Sequence, residues 1–330
     1  MKSKEDLVPY TIKNLIRFDQ RNNIFGRMIY DKNSDFYQIG IYDNVKKIIR
    51  SKKVGYSHLD FAKVMSSWTA YDYFHEAFSW TKLKDANSVM IKPKLKKLQI
   101  KDVSSITHEI KNISKNFGAT QVGIAKINPL WVYSYDLDGN KINIPKDCKY
   151  AIVMVIKMNP SMIKESPNFI ACAETGLVYS KMAFCISCVA EYIRNLGYKA
   201  IPMGNDSALS IPLAIDAGLG ELGRNGLLIT EKNGPCVRIC KIFTDLPLDV
   251  DRPIEFGVKR YCESCGKCAE ACEADAIQFE KKPSFNVFSK SNSKGILRWA
   301  VDHDKCYNFW IKNGGDCSNC IAACPYLPSL

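Results

Sequence analysis

The sequence predicts a mixed α/β (α+β) core followed by a small cysteine-rich domain. Helical and extended patterns alternate from Val103 onward, and eight closely spaced cysteines stand near the C-terminus. At 330 residues, with 46% hydrophobic and 24% charged residues, the chain is long enough for more than one domain and has the composition of a folded soluble protein. We divide it into residues 1–100, 101–256 and 257–330.

Residues 1–100 are rich in aromatic side chains and contain no repeat or low-complexity tract. In the segment that begins at Phe61, the spacing of Tyr71, Phe74 and Phe78 is helical. Core packing explains this pattern by default. The functional alternative is a cap over an apolar ligand, and we assign residues 1–100 to such a cap and substrate-chamber region.

Residues 101–256 alternate between helices and strands. The order is helix VSSITHEIKNISKNFG, strand TQVGIAKI, strand KYAIVMVIKM, helix GLVYSKMAFCISCVAEYIRNLGY, strand KAIPM, helix LSIPLAIDAGLG, strand GLLIT and the loop and strand NGPCVRICKIF. Gly118 and Gly197 are expected at the ends of their helices, since glycine adopts the left-handed conformation found there at little cost. We assign an α/β core to these residues.

Two motifs in this core invite a functional reading that their context does not support. GLGELG, at residues 218–223, matches G-x-G-x-x-G. A dinucleotide site needs those glycines after a strand and before a helix, and here the order is reversed. Cys185 and Cys188 form a C-x2-C pair in the middle of an apolar helix, where small buried residues are expected rather than a redox pair.

Tyr179, Asn205 and Arg238 form a third signal. They stand in three separate elements of the core that are otherwise mostly apolar. Each alone is an ordinary hydrogen-bonding residue, but together they can converge on one end of the α/β core.

The eight C-terminal cysteines have the spacing of bacterial ferredoxins. YCESCGKCAEAC contains C-x2-C-x2-C-x3-C, in which the fourth cysteine ligates the other of two [4Fe–4S] clusters. Zinc or disulfides are the alternatives, but zinc needs only four ligands. By the ferredoxin rule, cluster 1 has the ligands Cys262, Cys265, Cys268 and Cys324, and cluster 2 has Cys272, Cys306, Cys317 and Cys320. Two clusters indicate a protein that handles electrons.

The formal net charge is +12, but no nucleic-acid partner is expected. Ligating thiolates add negative charge that this sum omits, and the densest lysine run, at residues 92–101, is typical of a solvated linker face. Without a secretory signal, the 14 cysteines favour reduced thiols in the cytoplasm; a removed twin-arginine leader would instead indicate the periplasmic face of the membrane. The longest apolar runs, such as residues 151–156, fall short of the roughly 20 residues that span a bilayer.

Several segments resemble the cobalamin-dependent reductive dehalogenases. They are RFDQRNNIFGRM, LGYKAIPMGND, AGLGELGRNGLLITEKNGPCVRICKIFTDLPL, FGVKRYCESCGKCAEAC and KCYNFWIKNGGDCSNCIAACPY. The resemblance covers nearly the whole chain, and FWxxNGxDCxxCxxxCP is its most specific part. It implies a nitroreductase-like core that binds cobalamin, a ferredoxin-like domain with two [4Fe–4S] clusters, and reductive cleavage of a carbon–halogen bond by cob(I)alamin. D-x-H-x-x-G does not occur, so base-off cobalamin without a histidine ligand is expected.

The resemblance also implies roles for individual residues. Tyr179 matches the catalytic tyrosine and proton donor of the family, Arg238 its supporting cation, and Asn205 a neighbouring asparagine. The residues assigned to the substrate chamber are Thr175, Trp68 and Trp310. Those assigned to cobalamin are Gly204, Asn205, Asp206, Leu228 and Ile229. The chain departs from respiratory members in lacking their export signal, in its shorter length and in Glu273, where a proline usually follows the fourth cysteine.

Two other functions are alternatives. Epoxyqueuosine reductase shares the cobalamin core and the clusters and acts on tRNA, but its RDYH, which supplies a catalytic aspartate, is LVYS here, with Glu174 the nearest acid. A non-catalytic cobalamin and iron–sulfur electron-transfer protein is the third reading. The expected partners are a small organohalide and a low-potential electron donor, such as ferredoxin, flavodoxin or a membrane-linked donor. A homodimer or a membrane-anchor partner is also compatible with the resemblance.

Overall fold

The computed structural model describes residues 10–74 and 96–328, apart from the side chains of Tyr73 and Phe74. Phe78, Lys92 and Lys94 lie outside the described residues. The helices are α1 (Ile24–Tyr30), α2 (Val45–Arg50), α3 (His58–Ser67), α4 (Thr69–Phe74), α5 (Val103–Asn116), α6 (Pro160–Ile163), α7 (Phe169–Asn195), α8 (Ser210–Asp216), α9 (Val258–Ser264), α10 (Lys267–Glu270), α11 (His303–Asn313) and α12 (Asn319–Ala322). The strands are β1 (Gln121–Lys126), β2 (Tyr150–Lys157), β3 (Ala200–Met203), β4 (Glu221–Leu222), β5 (Leu228–Ile229) and β6 (Val237–Thr244).

A four-stranded antiparallel sheet in the order β1–β2–β6–β3 forms the centre of the fold. Side chains of β2 alternate between its two faces. Ile152, Met154 and Ile156 join the cluster that includes α5 and α7, whereas residues 151, 153 and 155 join the cluster that includes α8. Because helices cover both faces, β2 has an uninterrupted apolar sequence instead of an alternating one. The predicted mixed class is confirmed.

The central helix is α7, which has 27 residues. It begins at Phe169, seven positions before the predicted start at Gly176, because Asn168 caps it by accepting a hydrogen bond from the Ile170 amide. By length and composition alone α7 is able to cross a membrane, with a mean hydropathy of 1.4 over its most apolar window. The search for long apolar runs in the sequence did not identify α7, because polar residues interrupt its apolar runs. In the structure, 67% of that window is buried inside the protein.

The N-terminal helices α3 and α4 pack against α7. A capping box of Ser57 and Asp60 starts α3. Gly176, in the middle of α7, permits the closest approach. A Cβ atom there would lie 2.2 Å from Ser67 Oγ and 2.6 Å from the Trp68 indole. The missing side chain at Gly176 therefore lets Trp68 lie directly on α7.

The two motifs that were not expected to be functional have packing roles. Gly220 and Gly223 lie against the β4–β5 hairpin, where a Cβ on Gly220 would be 2.2 Å from the Ile229 carbonyl oxygen. Cys185 is fully buried on α7, and burial raises the pKa of its thiol to about 12. The neutral thiol behaves as a small apolar side chain at this position.

The C-terminal region consists of α9–α12 and the loops between them. Asp302 caps α11 at its start, and Gly314, with φ of +70°, ends the helix in the left-handed conformation. α11 also contacts α1, where Arg27 forms an ion pair with Asp304. The N-terminal residues thus contact both the core and the cysteine-rich region.

Candidate active site and cysteine clusters

Tyr179 lies at the centre of a group of side chains at one end of the core. Asn205, in the loop after β3, donates a hydrogen bond from Nδ2 to the Tyr179 hydroxyl oxygen at 2.6 Å. Trp68 stacks on the tyrosine ring, with 4.9 Å between centroids and 25° between planes. Tyr71 contacts the same ring edge-on at 5.2 Å. Two apolar walls and one amide therefore fix the orientation of the phenol.

Arg238, on β6, joins this group through the tyrosine ring and through Thr175. Its guanidinium carbon is 5.4 Å from the Tyr179 ring centroid, and its Nη2 donates to Thr175 Oγ1 at 3.2 Å. Thr175 and Tyr179 are four residues apart on α7 and therefore share one face of that helix. Arg238 therefore contacts Tyr179 through the ring of the tyrosine.

Two buried donors in this group have no hydrogen-bond partner among the described residues. They are Nε1 of Trp68 and Nε of Arg238. An unpaired buried donor costs roughly 1–3 kcal/mol, so such atoms indicate a place for water or a polar ligand. Both residues contact the Tyr179 ring. The donor set therefore fits a bound group that carries hydrogen-bond acceptors, as a corrinoid does.

Lys241 supports the loop that carries Asn205, and the sequence reasoning missed it. Its ammonium group is fully buried and donates to the Gly204 carbonyl oxygen and to Ser210 Oγ. Burial lowers the pKa of Lys241 to about 8, while the charge of Asp206 opposes the shift. Asp206 in turn accepts a hydrogen bond from the Gly204 amide at 2.9 Å. A lysine within the otherwise apolar ICKIF of β6 was the signal in the sequence.

Other predicted site residues lie apart from this group. Leu228 and Ile229 form the two-residue strand β5 and are almost fully buried, with Ile229 against Gly220 and Gly223. Trp310, on α11, has its ring contacts with Phe25 and Tyr307, in a different apolar cluster. Its Nε1 is also buried without a partner among the described residues. The roles predicted for these three residues stay predictions.

The eight cysteines fall into two neighbourhoods. Burial raises the pKa of Cys268 to about 12, and the nearby thiolates that add to this shift are those of Cys262, Cys324 and Cys265. Burial raises the pKa of Cys306 to about 12 as well, with Cys317 and Cys272 as the contributing thiolates. Cys320 is near Cys306, Cys317 and Cys272, and also near Cys268 of the other set. The assignment of these cysteines to two cluster ligand sets stays a prediction.

No three described His, Cys, Asp or Glu side chains converge on a single-ion site.

The second neighbourhood adjoins the N-terminal part of α7. The Cys172 thiol donates to the carbonyl oxygen of Asp316, the residue before Cys317. A Cβ on Gly315 would lie 2.8 Å from Cys172 Sγ, so glycine is required for this approach. From Cys172 to Tyr179 the helix rises by about 10 Å, at about 1.5 Å per residue. One rigid helix thus connects these cysteines with the tyrosine.

Comparison with known proteins shows which proteins this chain is similar to. Residues 261–327 match the family model described as "4Fe-4S dicluster domain". The tetrachloroethene reductive dehalogenase of Sulfurospirillum multivorans is 36% identical over 68% of this chain and 51% of that protein. The chain is a homologue of the reductive dehalogenases. This confirms the resemblance inferred from the sequence motifs.

Two further comparisons show how far the relation extends. The structure of a catabolic reductive dehalogenase in complex with 3-bromo-4-hydroxybenzoic acid superposes with a TM-score of 0.77 at 24% identity, covering 98% of this chain and 44% of that chain. This likeness confirms a reductive dehalogenase fold. The epoxyqueuosine reductase of Listeria monocytogenes is 25% identical over 53% of this chain and 48% of that protein. The chain spans about half the length of the curated reductive dehalogenases it matches.

Proposed function

We propose that this protein is a reductive dehalogenase, which replaces a halogen by hydrogen in a small organohalide. The observation that carries the proposal is the Tyr179 group, which presents an oriented phenol between an aromatic wall and a cation, on a chain homologous to reductive dehalogenases. The reaction consumes the organohalide, two electrons and one proton, and releases the halogen as halide. The protein must therefore conduct electrons and hold a proton at the reacting carbon.

The proton is assigned to the Tyr179 hydroxyl. Asn205 donates to the hydroxyl oxygen, so the phenol does not spend its own hydrogen on that contact and can direct it toward a substrate. After proton transfer, the same amide hydrogen bond and the Arg238 charge over the ring would both stabilise the phenolate. Asn205 and Arg238 thus orient the donor and favour the transfer.

The cofactors are assigned from the cysteines and from the polar groups around Tyr179. Cys262, Cys265, Cys268 and Cys324 would bind one [4Fe–4S] cluster, and Cys272, Cys306, Cys317 and Cys320 the second. Cobalamin would be held in base-off form by the loop from Gly204 to Asp206 and by Leu228 and Ile229, with the free donors of Trp68 and Arg238 beside it. A bound cobalamin would supply the low-potential reductant that carbon–halogen cleavage needs.

The residues that would hold the two clusters differ in what lies beside them. Tyr261, next to the cluster 1 ligand Cys262, is 44% exposed, which suits contact with a low-potential donor such as ferredoxin or flavodoxin. The ligands of cluster 2 adjoin Cys172 on α7, two helical turns before Tyr179. Trp68 and Tyr71 present aromatic surface at the tyrosine, which favours an aryl or alkenyl halide.

The alternative function, reduction of epoxyqueuosine in tRNA, requires a carboxylic acid near Tyr179. Glu174 is the nearest acid in the sequence, and it is almost fully buried. Its Oε1 accepts a hydrogen bond from the Asn159 amide at 2.6 Å, and burial raises the pKa of this carboxyl. Glu174 therefore holds the segment before α6 and is unsuited to donate a proton to a ligand of Tyr179.

The test begins with protein reconstituted anaerobically with iron, sulfide and cobalamin. We expect about eight irons per chain, from two four-iron clusters, together with bound corrinoid and halide release from chlorinated ethenes or halogenated phenols. Tyr179→Phe keeps the ring and its stacking, so corrinoid and iron contents should not change, while turnover falls by roughly 10²–10⁴-fold, as for loss of a general acid.

The matched control is Tyr192→Phe, which removes a hydroxyl from the other end of α7, where it contacts Glu109. This variant should keep full turnover. Full loading with normal turnover in Tyr179→Phe would refute the proton-donor assignment. Turnover of epoxyqueuosine-containing tRNA in place of organohalides would establish the alternative function.

A further inference from the structure

Arg224 is a buried charged residue where the core contacts the cysteine-rich region, outside the Tyr179 group. It lies between β4 and β5 and is 2% exposed. Its Nε and Nη2 donate to the Cys262 carbonyl oxygen, and its Nη1 donates to the carbonyl oxygens of Gln278 and Glu280 at 2.7 and 2.8 Å. The guanidinium also stacks on Trp299, at 4.8 Å from the ring centroid.

All of these acceptors are neutral carbonyl groups. Among residues 10–74 and 96–328, no ion pair joins Arg224 to a carboxylate. A buried cation without an opposite charge is strongly unfavourable, and proteins usually pair such a cation with an anionic group. Carbonyl dipoles solvate the guanidinium but do not cancel its charge.

The missing anion lies in the direction of the first cysteine neighbourhood. Two of the four hydrogen bonds of Arg224 end on the backbone of Cys262 itself. A [4Fe–4S] cluster with four thiolate ligands is anionic, and reduction by one electron makes it more so.

We propose that Arg224 is the buried counter-ion of cluster 1 and sets its reduction potential above the value that its thiolates alone would give. The inference rests on the two-cluster assignment in the proposed function. A fixed positive charge stabilises the reduced, more negative cluster more than the oxidised one. Cluster 1 is thereby poised to accept an electron from a donor. The hydrogen bonds from Arg224 to the Cys262 carbonyl oxygen keep the positive charge beside the helix that carries this ligand.

The experiment is an EPR-monitored redox titration of the reconstituted protein, which needs no organohalide. Arg224→Gln removes the charge, and Arg224→Lys keeps it while losing the planar fork. We expect Arg224→Gln to lower one of the two midpoint potentials by at least about 59 mV, which corresponds to a tenfold change in the equilibrium constant of a one-electron reduction. Arg224→Lys should restore at least half of that shift, because the charge is present again.

Two acidic residues provide controls of opposite sign. Glu221 accepts hydrogen bonds from the Phe256 and Val258 amides at the start of α9, the helix that carries Cys262, so Glu221→Gln should raise the same midpoint potential. Asp316 directly precedes Cys317 in the other neighbourhood, so Asp316→Asn should raise the other potential and leave the first unchanged. These two variants identify which signal belongs to cluster 1.

Three results would overturn the inference. One is a change of less than twofold, about 18 mV, in both potentials of a fully loaded Arg224→Gln protein. Another is a potential in Arg224→Lys as low as in Arg224→Gln, which would assign Arg224 a purely structural role. If Arg224→Gln fails to load iron, Arg224→Lys and Glu221→Gln provide the test instead. In that case, an unshifted midpoint potential in Glu221→Gln overturns the inference. Failure of the wild-type protein to bind two clusters would instead refute the proposed function.

Discussion

Replacing Gly176 by alanine tests whether the close contact of α3 with α7 positions the aromatic wall at Tyr179. The new methyl group would lie 2.2 Å from Ser67 Oγ and 2.6 Å from Cδ1 and Nε1 of Trp68, distances that force these atoms to move. Overpacking of this kind costs about 1–3 kcal/mol, and the better helix propensity of alanine offsets about 1 kcal/mol. The expected net loss of unfolding free energy is about 0–2 kcal/mol.

Displacement of Trp68 should also loosen its stacking on Tyr179, so dehalogenase turnover should fall together with stability. Anaerobic urea unfolding of the reconstituted protein, followed by halide-release assays, measures both quantities. In a Trp68→Ala background the same glycine substitution should cost less, since one of the two obstacles is gone and the two changes are coupled. Leu177→Ala, on the exposed side of the same helical turn, is the control. A Gly176→Ala protein stabilised by about 1 kcal/mol, as propensity alone predicts, would refute the reasoning.

Two further predictions concern the contact between the N-terminal region and α11. Arg27→Met removes the cation that pairs with Asp31 and Asp304, while Lys290 still pairs with Asp31, so the unfolding free energy should fall by about 1.5–3 kcal/mol in urea titrations, as for lost hydrogen bonds to charged groups. Lys63→Met, in an exposed pair, should change it by less than about 1 kcal/mol. An equal effect of both substitutions would contradict the role of burial. Burial lowers the pKa of His303 to about 4, from a usual value near 6.5. As the pH falls, the unfolded chain therefore binds this proton before the folded protein does, and the folded state loses stability. The unfolding free energy should be about 2 kcal/mol lower at about pH 5 than above pH 6.5. His303→Gln should lack this pH-dependent loss, and identical pH profiles of the two proteins would refute the assignment.

The predicted features that were confirmed depend on local patterns. An apolar run of strand length indicates β2 whatever it pairs with, and an amphipathic pattern with a glycine at its end indicates α5. The ligand sets of the two clusters rest on the ferredoxin spacing, which encodes which thiol crosses to the other set, and they stay predictions. The start of α7 was predicted seven residues late, since the cap at Asn168 and the buried Glu174 precede the apolar run that signals the helix.

The residues themselves determine that Tyr179, Asn205 and Arg238 are available for one site, but only the tertiary structure decides how they meet. Asn205 and Tyr179 are 26 positions apart, and their 2.6 Å contact exists because β3 ends beside α7. The antiparallel order of the sheet brings Arg238 to the face of the tyrosine ring instead of its hydroxyl. Burial of Arg224 is likewise invisible in the sequence, because the free energy of a buried charge depends on which carbonyl groups surround it in three dimensions.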